Sequence, residues 1–380
     1  MKKRIYAKRC VKIAALCLAI IATLSLAQQY ALAHFDGHKI RIEGFYEEQK
    51  NSLDVVFLGA SDIYSGFLPG AAYDKYGFTS YLYATGANPI SLYKSQLKEV
   101  LHNQSPKLVV VEINGALYNK DEKLYKEGNI RKYIDNIPFN QNKIDTIKDL
   151  VPADQQIEYF CPIIKYHGAW NDVTDVTKWI GGNVKIHQRG YSLLKGSSVC
   201  ANVDGKVKSL KKNLENDNST RDLLPESEQY LRDFLQYCKD EKLDNVVFVR
   251  YPHKVTKNMY ERFQRTNTAE NIINEYGYSL LNFEKNFNKT GLDYSKDFAN
   301  CDHLNIYGQQ KMTDYLSSIL CSEYGLTKSD LSESQKEEWN NVSDYTKRYV
   351  KFVEQKTKEK TDKWYSEESD TMAELEKITL

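Results

Sequence analysis

The stretch Leu53-Asp54-Val55-Val56-Phe57-Leu58-Gly59-Ala60-Ser61-Asp62-Ile63-Tyr64-Ser65-Gly66-Phe67-Leu68-Pro69 decides the fold. Its first six residues, apolar but for Asp54, read as a buried strand running into Gly59, and the residues from Ser61 onward as a helix. In an open parallel sheet, ligands bind beyond the carboxyl ends of the strands, where the next helix offers unpaired N–H groups. A serine at that junction holds its hydroxyl at the site, with its own N–H free to stabilise a developing oxyanion. An ordinary helix N-cap would suit the same serine, so a partner group has to be found elsewhere in the chain.

Outward from this stretch, short apolar runs alternate with amphipathic ones, the pattern of βα units feeding a parallel sheet. Thr79 to Ala84 and Leu108 to Ile113 are the next two strands, with a helix over Ile90 to His102 between them. From Asn114 to about Glu226 the rhythm is lost in polar, tyrosine-rich text, which reads as an insertion over about 115–225. It returns with a helix from Pro225 to Lys242, a strand at Asn245 to Arg250, a helix around Tyr260 to Glu275 and a strand at Tyr278 to Asn282. A last sheet-packing helix is expected over Gly308 to Ser322. One α/β domain over 50–322 is therefore expected, followed by a charged helical tail over 327–380 whose apolar positions include Trp339, Tyr345, Tyr349, Phe352 and Val353. That tail is either an appendage helix or hairpin or a solvated coil packed loosely on the body.

The totals of 52 basic and 51 acidic side chains in 380 residues conceal an asymmetry. Lys2, Lys3, Arg4, Lys8, Arg9 and Lys12 crowd the first twelve residues, so the remainder carries 46 basic against 51 acidic side chains. A mildly acidic body excludes nucleic acid as a partner, because phosphate binding relies on an excess of Lys and Arg. The basic start precedes an apolar run from Ile13 to Ala27 and then Ala31-Leu32-Ala33, so residues 1–33 read as an export signal. The run alone falls short of a bilayer and permits cleavage near Ala33, giving a secreted protein. A helix extended over Val11 to Leu32 reaches bilayer length and is the favoured reading, a single-pass cell-membrane anchor with an extracytoplasmic body. The seven cysteines show no zinc-ligand spacing, so neither a metal nor a cofactor is expected.

The partner for Ser61 is found in Asn300-Cys301-Asp302-His303-Leu304-Asn305-Ile306-Tyr307-Gly308, just before the last helix. A serine nucleophile needs a base within hydrogen-bond reach, and a loop beyond the last strand can bring His303 to the first. Together the two blocks resemble the SGNH/GDSL hydrolase superfamily, and more narrowly its exported, membrane-anchored branch related to DltD and the alginate O-acetylation proteins. The resemblance covers roughly residues 50 to 322 and implies a three-layer α/β/α flavodoxin-like parallel sheet. It makes Ser61 the nucleophile and His303 its base, with Gly86 and Asn114 completing the oxyanion hole; Asn88 rivals Asn114 as the amide donor. The family's acid lies three residues before the histidine, where this chain has Asn300. Asp302 is adjacent to His303 and Asp297 six residues away, so the triad acid is Asp302, Asn300 in its place, a group from elsewhere, or none.

Inside the insertion, His167 and Trp170 resemble a Tyr-His-x-x-Trp element of this branch and suit a sugar's hydroxyls and face. His253, after the fourth strand, is a second candidate site histidine. The resemblance implies serine-dependent transfer of an acyl group to or from a cell-envelope polysaccharide, as an O-acyltransferase or an esterase, with a membrane-bound O-acyltransferase as partner. A non-catalytic carbohydrate-binding or assembly protein on the same scaffold is the alternative.

Overall fold

The computed structural model describes residues 2–27, 37–120, 122–166, 173–210, 212–375 and 377–378. Among these, seven strands form: Val55–Gly59 (β1), Ser80–Ala84 (β2), Leu108–Glu112 (β3), Val199–Cys200 (β4), Val246–Arg250 (β5), Leu280–Asn282 (β6) and Trp364–Tyr365 (β7). Five of them build one all-parallel sheet in the order β2-β1-β3-β5-β6, while β4 and β7 pair antiparallel in a small separate sheet. The large sheet has the doubly wound order, which reverses between β1 and β3 and opens a crevice at their carboxyl ends.

Strand residues divide strictly by parity, because successive side chains point to opposite faces. Val56, Leu58, Val109, Val111 and Phe248 pack on one face with Ile42 and Phe45 of helix Gly37–Glu47, Leu97 and Val100 of helix Tyr93–Asn103, and Phe234 and Leu235 of helix Pro225–Asp240. Val55, Phe57, Val110, Val247 and Val249 pack on the other with Ile63, Ala72, Met312 and Leu316, from helices Ser61–Gly66, Pro69–Tyr76 and Ile306–Ser322. Helices thus cover both faces, giving the three-layer α/β/α architecture. The valine-rich strands are buried on both sides, as a parallel sheet requires.

The span 115–225 holds helices Glu127–Ile134, Gln141–Leu150 and Val173–Arg189 together with β4. The tail helix Glu333–Lys358 starts at a capping box between Ser332 and Gln335 and buries Trp339, Val342, Tyr349, Phe352 and Val353. It lies against helix Pro69–Tyr76 so closely that a Cβ on Gly70 would stand 2.8 Å from the carbonyl oxygen of Val342. Fully buried Lys195 bridges Glu48 and Glu338 at 2.6 Å each, tying the insertion to the end of helix Gly37–Glu47 and to the tail helix. At the other end, Tyr6–Ala27 of helix Lys2–Ala27 spans 22 residues, contains an 18-residue window of mean hydropathy 2.3 and is long and apolar enough to cross a membrane. The expected cleavage motif at 31–33 lies outside the described residues.

Candidate active site

Gly59 ends β1 with φ +152°, and a Cβ there would come within 2.7 Å of the Glu112 Cβ on β3. Only glycine fits this turn, which swings the chain so that Ser61 begins the helix at the carboxyl edge of the sheet. His303 reaches the same edge from a small hairpin, in which Phe298 bridges Leu304 and the Ala299 N–H donates to the His303 carbonyl at 2.9 Å. Immediately after it, Asn305 caps helix Ile306–Ser322 by accepting from the N–H groups of Tyr307 and Gly308.

The two predicted residues meet. Ser61 Oγ lies 2.8 Å from His303 Nε2, and His303 Nδ1 lies 3.1 Å from Asn300 Oδ1. Asn300 Oδ1 also accepts from the backbone N–H groups of Asp302 and His303, at 2.8 and 2.9 Å, so it is held by the turn it closes. An amide oxygen can only accept, which places the proton on Nδ1 and leaves Nε2 with a lone pair facing the serine hydroxyl. Asp302 does not stand behind the histidine: its carboxylate pairs with Arg262. Asp297 is also committed elsewhere, to Lys311 Nζ at 2.6 Å and to the Asp293 N–H at 2.7 Å. The group orienting His303 is therefore a neutral amide. Burial holds the His303 pKa below the ordinary histidine value, although Asp62 and Asp302 pull the other way.

Of the two candidate amide donors, Asn88 is used internally, giving its Nδ2 hydrogens to the Gly59 carbonyl at 3.0 Å and to Gln96 Oε1 at 2.7 Å. Asn114 instead presents Oδ1 to Arg250 Nη1 at 3.0 Å, which leaves its Nδ2 hydrogens for another acceptor. The Gly86 N–H points to His38 Nδ1 at 3.4 Å, and a Cβ on Gly86 would fall 2.9 Å from His38 Cε1 and 3.1 Å from the Tyr64 hydroxyl. His167 and Trp170 lie outside the described residues.

Beneath Ser61 is a group of charges that the sequence does not announce. Arg250, fully buried at the end of β5, faces Glu284 at 2.9 Å, Glu112 at 3.5 Å and Asp62 at 4.0 Å. His253, equally buried, sets Nε2 against Asp62 Oδ1 at 3.1 Å and Nδ1 against Glu284 Oε1 at 3.0 Å and the Tyr251 carbonyl at 2.7 Å. All of these partners accept, so both ring nitrogens donate and His253 is an imidazolium. Its pKa is raised despite burial and Arg250, because Asp62 and Glu284 hold the charged form. Glu284 is pushed down to about 2: burial opposes ionisation, but Arg250 and His253 outweigh it. Asp62 is lowered for the same reason. Glu112 moves the opposite way, raised by burial and by the neighbouring Asp62 charge. Arg250 and His253 thus face Asp62, Glu112 and Glu284 in a cluster closed to water. Among the described residues, no group of three or more His, Cys, Asp or Glu side chains converges as metal ligands would.

The tail supplies a further neighbour. Trp364 on β7 stands 5.2 Å from the His303 ring at 87° and 5.7 Å from the Tyr64 ring at 77°. Arg41 stacks on Tyr64, 3.9 Å from its centroid. Comparison with protein-family models finds no match for this chain, and comparison with curated proteins finds none either.

Proposed function

We propose that this protein is a serine-dependent acyl-transfer enzyme, an O-acyltransferase or esterase, that works outside the cytoplasm on a cell-envelope polysaccharide. The observation that carries the reading is the Ser61–His303–Asn300 chain at 2.8 and 3.1 Å, set at the carboxyl edge of β1. Ser61 Oγ attacks the carbonyl carbon of an acyl ester or thioester while His303 Nε2 takes the hydroxyl proton. The oxyanion is held by the Ser61 N–H and by Asn114 Nδ2, with the Gly86 N–H as third donor once His38 moves off it. Collapse of the tetrahedral species breaks the bond to the donor's alcohol or thiol, which leaves with the proton from His303. A sugar hydroxyl then gives its proton to His303, attacks the acyl-Ser61 carbonyl and releases Ser61; water in its place gives hydrolysis.

The apolar Tyr6–Ala27 helix, with its basic flank, acts in this reading as a signal anchor with the basic end in the cytoplasm. A tethered catalyst suits transfer from a membrane-borne donor, and the family resemblance supplies the corresponding partner, a membrane-bound O-acyltransferase. The test is labelling of the full chain with a fluorophosphonate probe. Wild type is expected to be labelled, and Ser61→Ala to lose labelling by about 10³-fold or more. A wild type as inert as Ser61→Ala would favour the second reading, a carbohydrate-binding or assembly protein, for which the amide of Asn300 in place of an acid is the supporting observation.

A further inference from the structure

Trp364 is set apart from its neighbours by what β7 does with alternate side chains. Tyr365 points into the body: it is 5% exposed, its ring lies 5.1 Å from Phe352 at 89°, and its carbonyl accepts from Tyr349 Oη at 3.0 Å and Ser198 Oγ at 2.9 Å. Pairing with β4, Cys200 opposite Trp364 and Val199 opposite Tyr365, holds the strand in this register. Trp364 must then point the other way, and it does so with 38% of its surface still in water. The site is on that side. Both nitrogens of His303 are taken, by Ser61 and Asn300, so the perpendicular contact with the indole fulfils no polar need of the histidine.

A large apolar ring held half-exposed at the rim of a reacting serine is a binding surface rather than core. Indole has a broad flat face, few rotamers to lose and one N–H at its edge. The matching ligand surface is flat, carries C–H groups on its face and places its polar groups around the perimeter, which describes a pyranose ring. We infer that Trp364 is the stacking platform of a sugar subsite beside Ser61, and that the C-terminal tail, through β7, completes the acceptor site for a polysaccharide hydroxyl. The role of that sugar as acyl acceptor rests on the acyl-transfer reading; the binding itself does not.

The experiment is calorimetric titration of the full chain, in a non-glycosidic detergent, with one neutral, one N-acetylated and one uronate tetrasaccharide. At least one is expected to bind, with affinity falling about tenfold or more in Trp364→Ala and by less in Trp364→Phe, which keeps a smaller flat face. Binding of none of the three, or affinity unchanged in either variant with near-native circular dichroism, would overturn the inference. Fluorophosphonate labelling of wild-type Ser61 on the same preparation keeps the two readings apart. Sugar binding that depends on Trp364 in a chain whose Ser61 does not react would leave the subsite standing and remove acyl transfer.

Discussion

His303 and His253 occupy the loops that follow β6 and β5, at the same edge of one sheet, yet their surroundings are opposite. His253 sets both ring nitrogens against acceptors, two of them carboxylates, and is fixed as a cation. His303 has one amide oxygen and one hydroxyl, and burial lowers its pKa. The chain does have carboxylates beside Ser61, but they pair with the histidine that is fully buried. What this teaches is that proximity of an acid to a histidine is not enough: the one whose two ring nitrogens both donate has no lone pair left, and the amide-held one keeps the lone pair that a base needs.

The largest effect that tests this contrast is on stability. His253→Ala strands Asp62 and Glu284 beside a single arginine, and loss of one partner from a buried charge cluster costs about 3–5 kcal/mol, read as a lowered urea midpoint. The pH dependence has a definite sign. The raised pKa of His253 contributes stability that is complete below its unfolded value of about 6.5 and is lost as pH rises through the folded value. The lowered carboxyls of Asp62 and Glu284 contribute in the reverse sense, fully above about pH 4.5 and less as pH falls through their folded values. Wild type should therefore lose stability at both ends, and His253→Ala should flatten the alkaline limb.

Next in size is Asn300→Asp, which gives His303 the carboxylate it lacks. Labelling of Ser61 in wild type is expected to rise with pH around a midpoint below about 6.5, because the base must be neutral and burial depresses its pKa. The new carboxylate should move that midpoint upward and raise the plateau rate about tenfold, since it stabilises the imidazolium formed in the attack. A wild-type midpoint above the ordinary histidine value would mean that a carboxylate already serves His303, and the contrast with His253 would collapse. The smallest effect is expected for Asp302→Asn, which loosens a partly exposed pair with Arg262 and removes one of the charges that raise the His303 pKa; it should change plateau labelling by less than about twofold and shift the pH midpoint slightly downward.

Ser61 and His303 are legible in the sequence because each is tied to a landmark, a glycine ending an apolar strand and an asparagine-capped helix. The strands are legible too, and their limits differ from expectation only by a residue or two at the ends, where pairing partners decide. The charge cluster is not. Asp62, Glu112, Arg250 and Glu284 each look like a polar residue at the end of an element, and only the order that sets β1, β3 and β5 side by side makes them one group. His253 could be singled out by position, but its partners could not. Trp364 is hidden for another reason: β4 and β7 are two residues long, too short for any periodic signal, and their partners lie in distant parts of the chain.

The contact between the Gly86 N–H and His38 Nδ1 sets a limit on reach. His38 belongs to the helix beginning at Gly37, and the apolar helix ends at Ala27. Ten peptide links join them, about 36 Å at full stretch. With the apolar helix in a bilayer, as proposed, Ser61 would be on a short leash, held within a layer a few nanometres deep above the lipid. On the acyl-transfer proposal, polymer farther out would have to come down to it, while a donor moving in the membrane plane would always be within the same layer.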